Sequence, residues 1–196
     1  MQFKIKKFSI ILTFIAILTF QNNLNSSIAN HDINDFGLVS LMYHRFEENK
    51  YPSTNIKIND FLQHIKIIED NNIRFINPKN FQDEIKNNKN QRKILLTIDD
   101  GFSSFYNNAW PILKKKKIPF ILFVSTREVG SNNYMTWNQI KEIEKESFVE
   151  IGNHSHTHEY LVDENLDVIK KDIEKSMQIF KEMLGKNSMF FSYPFG

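Results

Sequence analysis

The chain has 196 residues, 41% hydrophobic and 24% charged, with 18 Phe and no Cys. That length suits one domain with ample core material, and the missing thiols exclude a disulfide framework, thiol catalysis, Cys-bearing zinc fingers and a lipidated lipoprotein cysteine. The net charge of +2 is misleading: residues 1–29 hold Lys4, Lys6, Lys7 and no acid, so the remainder carries 22 basic against 23 acidic side chains, a balance of −1 that gives no sign of a nucleic-acid surface.

In chain order, the three lysines precede an apolar run from Phe8 to Phe20. As a helix this run reaches about 20 Å, too short for a hydrocarbon core of about 30 Å. A positive start, a short apolar stretch and then a polar segment predict a secretory signal peptide over residues 1–29. Ser27-Ile28-Ala29 supplies the small residues for cleavage after Ala29. The alternative is an uncleaved membrane anchor over residues 8–20; under either, residues 30–196 form one exported domain, periplasmic or extracellular.

Residues 37–43 read as a buried strand. Phe61, Leu62, Ile65 and Ile68 recur at helical spacing over 58–70, with Asn59 or Asp60 available as a cap. Residues 73–76 are a short strand, and Pro78 opens a helix to about Lys86. Residues 93–98 are strand and 103–115 helix. Residues 119–124, PFILFV, form an apolar strand of the kind buried on both faces. Thr136 to Gln139 matches a capping box that starts a helix through Glu144. Residues 148–151 are strand, 165–184 a long amphipathic helix stopped by Gly185, and 189–192 a sixth strand. Trp110 and Trp137 are expected in the core.

Apolar strands alternating with helices imply parallel pairing with helices outside, as an open doubly wound sheet or an incomplete barrel. The unusual polar groups cluster after strand ends: Tyr43-His44-Arg45, Asp99-Asp100-Gly101, His154 to His158, and Tyr193 to Gly196. In barrels, functional groups sit at the carboxyl ends of strands, so one rim site is expected, with His44 on it.

Asp99 and Asp100 are adjacent, and neighbouring strand residues point oppositely; Gly101 permits the turn that would bring both to the rim. A plainer alternative has Asp100 capping the helix near Ser103. Three of the six histidines fall within His154-Ser155-His156-Thr157-His158. A helical turn would bring His154 and His158 together, whereas an extended chain would align all three; spacing leaves both ligand sets open. Two imidazoles and a carboxylate make an open three-ligand metal site.

Leu-Thr-Ile-Asp-Asp-Gly (96–101), His-Ser-x-x-His (154–158) and Phe-Ser-Tyr-Pro-Phe-Gly (191–196) follow one another as in the polysaccharide deacetylase family, the NodB-homology domain of carbohydrate esterase family 4. Leu-Met-Tyr-His (41–44) resembles its exported poly-N-acetylglucosamine deacetylase branch. The resemblance runs from Gly37 to the last residue. It implies an α/β fold, a distorted TIM-like (β/α)7 barrel, and a metal-dependent hydrolase removing N-acetyl, or O-acetyl, groups from an extracellular or cell-envelope polysaccharide. It makes Asp99 the general base and Asp100, His154 and His158 the ligands of Zn2+, or of Co2+, Ni2+ or Fe2+. His156 falls on a variable position, which favours the helical-turn set. Substrate would contact His44 and a pocket wall of Tyr193, Pro194 and Phe195, with an oxyanion-binding N–H near Tyr193. The implied partner is an N-acetylated polysaccharide, with no nucleic acid and no membrane except through an uncleaved N-terminal segment.

Two departures stand out. Ser192 takes the place where many relatives carry an Arg that orients the catalytic Asp. The family's fourth motif, an acid with Trp, and its fifth, a Leu-x-x-His supplying the general acid, would follow Gly196. The expectation is therefore a barrel lacking its last strand or strands, and the alternative function is an inactive remnant that binds metal or glycan without turnover.

Overall fold

The computed structural model describes residues 37–86 and 91–196; the signal-sequence reading of residues 1–29 lies outside the described residues. Strands and helices alternate as β1 (Leu38–Tyr43), β2 (Arg45–Phe46), β3 (Asn55–Ile56), α1 (Ile58–Asp70), β4 (Arg74–Phe75), α2 (Phe81–Lys86), β5 (Lys93–Ile98), α3 (Trp110–Lys116), β6 (Phe120–Val124), α4 (Trp137–Glu144), β7 (Val149–Asn153) and α5 (Leu166–Leu184).

Every described ladder is parallel, as the apolar strands require. β1 pairs with all of β5, from Leu38 opposite Lys93 to Tyr43 opposite Ile98. β4 pairs with the first two residues of β5 and β6 with the last two. β6 and β7 pair from Phe120 opposite Val149 to Val124 opposite Asn153. This register sets the carboxyl ends of β1, β5, β6 and β7 along one rim. β2 and β3 form a small separate pair that the sequence does not announce.

β5 and β6 are buried along their whole length. Around them pack Phe46, Phe61, Phe105, Trp110 and Phe180. Trp110 is buried, and half-buried Trp137 meets Phe180 edge-on at 6.2 Å. Both tryptophans thus belong to the core, as expected. Helix ends also follow the sequence. Thr136 and Gln139 form the reciprocal capping box, Asn165 caps α5 by accepting from the Val168 N–H, and Gly185 closes it in the left-handed conformation (φ 74°).

Three expectations need correction and one helix an amendment. β1 is largely apolar but not buried throughout: Val39 and Met42 are exposed, because among the described residues β1 pairs with β5 alone. The helix expected from Ser103 begins there, but residues Phe105–Ala109 within it are π-helical. Pro111 has no N–H to offer the Asn107 carbonyl, so a regular ladder breaks there. The cap on α1 is neither Asn59 nor Asp60: Lys57 takes the N-cap position, and Glu47 Oε1 accepts the Ile58 N–H at 2.5 Å. The sixth strand shrinks to a single parallel bridge between Phe191 and Asn153. Ser188 Oγ takes the Phe190 N–H at 3.2 Å and lies 3.0 Å from the Ile151 carbonyl, competing for groups a ladder would pair.

Gly152 on β7 leaves room for the Phe123 ring: a Cβ there would overlap two ring carbons and lie 3.0 Å from Ile121 Cγ2. Gly152→Ala is expected to cost about 1–3 kcal/mol, as overpacking does, read as a lower urea midpoint that Phe123→Leu partly restores. An unchanged midpoint would contradict this packing.

Candidate active site

At the end of β5 the chain inverts. Asp100 adopts φ 71° and Gly101 φ 75°, which lets two consecutive carboxylates serve one site. Asp100 does not cap the following helix, whose first residue has no side-chain cap. Its carboxylate faces the loop after β7. Asp100 Oδ1 lies 2.9 Å from His158 Nε2 and 3.3 Å from His154 Nε2. Ligand-type atoms of Asp100, His154 and His158 all fall within 4.8 Å of one another.

His154 and His158 therefore meet as expected, but not on a helical turn. Residues 154–158 form a loop in which Ser155 (φ 67°) and His158 (φ 59°) are left-handed. Ser155 Oγ accepts the His158 N–H at 3.0 Å, and Asn153 Oδ1 accepts the Ser155 N–H at 2.9 Å. His156 points away from the cluster, its Nδ1 2.8 Å from Thr126 Oγ1.

The cluster fits a divalent cation. His154 Nδ1 lies 2.8 Å from the Ser192 carbonyl; a carbonyl only accepts, so Nδ1 carries the hydrogen and Nε2 presents a lone pair. That lone pair faces a carboxylate oxygen, and two acceptors hold this separation favourably only with a cation or an added proton between them. Ligands each about 2.0–2.1 Å from a tetrahedral zinc sit about 3.3 Å apart, close to the observed spacing. Asp100 Oδ1 is also buried without a hydrogen-bond partner.

Asp99 is the other orphan. It is 3% exposed, and its Oδ1 has no hydrogen-bond partner; Oδ2 receives only a long bond, 3.5 Å, from Ser192 Oγ. Burial raises its pKa above the ordinary carboxylate value, against the opposing charges of His154 and His44, while neighbouring Asp100 adds to the rise. Asp100 shifts the other way: burial would raise it, but His154 and His158, when their facing ring nitrogens are protonated, hold it well below the usual range. His154 is depressed by burial yet ends up raised by Asp100 and Asp99.

His44, half-buried, lies close enough for its charge to act on Asp99. Phe195 is exposed and meets His158 edge-on at 5.0 Å, with Tyr160 5.9 Å beyond. Tyr193 is exposed and packs on Phe191 at 5.0 Å. Pro194 is buried. Sequence reasoning did not single out Asn153 or Asp172. The signal was available in α5, whose buried stripe, Asp172, Ser176 and Phe180, begins with two polar residues.

Fold and site together define a class: a parallel α/β domain carrying a carboxylate and two-histidine cluster beside an unpaired acid on its carboxyl rim. Residues 86–196 match the polysaccharide deacetylase family, and the chain belongs to that family. It is 28% identical over 178 residues to the poly-beta-1,6-N-acetyl-D-glucosamine N-deacetylase of Staphylococcus epidermidis, covering 84% of this chain and 60% of that protein. The chain thus spans about 60% of the length of this curated relative. Among solved structures, IcaB from Ammonifex degensii matches with a TM-score of 0.73 at 29% identity, over 83% of this chain and 76% of that one. The Streptococcus pyogenes deacetylase PplD matches with a TM-score of 0.70 at 26% identity, over 80% and 73%. The fold is accordingly the NodB-type α/β architecture of the carbohydrate esterase family 4 deacetylases, as expected.

His154→Ala and His158→Ala are each expected to abolish most zinc uptake, measured as bound metal per chain after dialysis, while His156→Ala retains it. Equal losses from all three would refute this ligand set.

Proposed function

We propose that this chain carries the catalytic site of a metal-dependent deacetylase that hydrolyses the N-acetyl groups of an N-acetylglucosamine polysaccharide outside the cell. The observation that carries the proposal is Asp99: a buried carboxylate, excluded from the ligand cluster, with one oxygen free of any partner beside it. The name of the Staphylococcus epidermidis relative supports the polymer, and the charged, apolar N-terminal residues support export.

Asp100, His154 and His158 would hold the ion, with zinc favoured by two imidazoles and one carboxylate and Co2+, Ni2+ or Fe2+ compatible. A bound divalent ion would polarise the acetyl carbonyl and lower the pKa of water at the site. The chain's own residues do the rest. Asp100 would be ionised against the cation and contribute one negative charge, so the filled site stays net positive. Asp99 ligates nothing and is free to take a proton from the attacking water; burial has raised its proton affinity, which suits a base. His44 opposes that rise and keeps the ionised form accessible. The Ser192 carbonyl fixes the His154 ring, while its hydroxyl reaches Asp99. Phe195, standing edge-on to His158, offers a wall for a sugar ring.

The test is acetate release from a β-1,6-linked N-acetylglucosamine oligomer by the zinc-loaded protein. Asp99→Asn should lower the rate by about 10²–10⁴-fold, the range for a lost general base, with zinc content unchanged. Wild-type rate in that variant would remove Asp99 from the chemistry.

A further inference from the structure

The loop that presents His158 is held from α5 by a single buried carboxylate. Asp172 is 7% exposed. Its Oδ1 accepts the His156 N–H at 2.7 Å, and its Oδ2 accepts the Thr157 N–H at 2.8 Å and the Thr157 hydroxyl at 2.6 Å. All three contacts are donors, so the site calls for an acceptor-only group; an amide would set its NH2 against an N–H. One turn along the same helix, Ser176 Oγ accepts from Asn153 Nδ2 at 2.8 Å, and Asn153 in turn holds Ser155.

The same peptides are gripped from the other side by the residues after β6. The His156 carbonyl accepts from the Arg127 N–H at 3.0 Å and lies 3.2 Å from Ser125 Oγ, while the Ser155 carbonyl accepts from the Thr126 N–H at 3.2 Å. The clamp therefore closes on residues 155–157, between the two histidines. It closes where the backbone is strained: Ser155 and His158 are left-handed without being glycine, a conformation costing about 1–3 kcal/mol that persists only where its surroundings over-determine it. Released from α5, this loop would relax toward negative φ and carry His158 away from His154 and Asp100.

Resting on the metal-site reading above, we infer that Asp172 is a positioning residue for the metal centre: it touches neither ion nor substrate, and sets metal affinity by fixing the His154–His158 loop. Partners that orient metal ligands commonly contribute about 10–100-fold to affinity.

The experiment measures zinc affinity by competition with a chromogenic chelator, and the visible absorption of the cobalt-loaded protein, for the full chain and two variants. Asp172→Asn should weaken zinc binding by about 10–100-fold and shift the cobalt spectrum toward fewer protein ligands. Thr157→Val removes only the hydroxyl contact and preserves side-chain shape. It should weaken binding less, in the same direction, and keeps the test decisive where Asp172→Asn fails to fold. A lowered melting temperature of the metal-free protein with undiminished zinc affinity in the folded variants would make Asp172 a structural anchor and overturn the inference alone. Failure of the wild-type chain to take up zinc would overturn the metal-site reading itself, and this inference with it.

Discussion

The rim is built on one backbone inversion at the end of β5. In an extended strand Asp99 and Asp100 would face opposite sides. Asp100 takes the left-handed conformation, which Asp tolerates better than most residues, and Gly101 takes it at little cost. Around the turn the backbone is pinned: the Asp99 N–H donates to the Tyr43 carbonyl at 2.8 Å, the Met135 N–H to the Gly101 carbonyl at 2.9 Å, and the Ser103 N–H to the Asn133 carbonyl at 2.8 Å. The anchors come from two distant parts of the chain, the end of β1 and the loop of residues 133–135 before α4. The inversion is thus a property of the folded rim and not of the dipeptide.

From it follows a division of labour between neighbours. Both carboxylates are desolvated, and desolvation alone would raise both. They part because Asp100 directly meets His154 and His158, whereas Asp99 feels His154 and His44 without pairing to either. A ligand benefits from staying ionised, and a base benefits from an appetite for protons. Adjacent residues of one type acquire the two properties from their surroundings.

Much of this was legible in the sequence, and the misses have physical causes. The parallel sheet could be read from the unbroken apolar runs of β5 and β6, and the rim from polar residues following strand ends. Residue type and spacing pointed to the acid pair and the histidine cluster, and the resemblance of the motifs singled out Asp100, His154 and His158 among them. Their geometry could not be read, because His at i and i+4 meet on a helix and equally in a loop with two left-handed residues. Nothing local in His-Ser-His-Thr-His distinguishes the two; the decision lies with Asn153, Ser155 and the distant Asp172. The short-lived sixth strand failed for a similar reason, since Met189 to Phe191 are apolar enough for a ladder but Ser188 takes up the groups it needs. Of the expected wall of Tyr193, Pro194 and Phe195, Phe195 meets the His158 ring and Tyr193 packs on Phe191.

The candidate ligands come from β5 and β7, which do not pair; β6 lies between them. With strands about 4.8 Å apart, the ligand-bearing ends stand about 10 Å from each other, a gap closed by a short acid from one side and two imidazoles from the other. β6 contributes no ligand but sets that gap. Its last carbonyl, Val124, receives the His154 N–H at 3.1 Å, and its Val124 side chain lies 3.8 Å from where Gly101 would carry a Cβ. The residues just past it, Ser125 to Arg127, grip the loop between the histidines. On the β7 side, Gly152 admits the Phe123 ring, which stands 6.3 Å from the His154 ring. The apolar strand with no chemistry of its own is therefore what fixes the distance at which the chemistry happens.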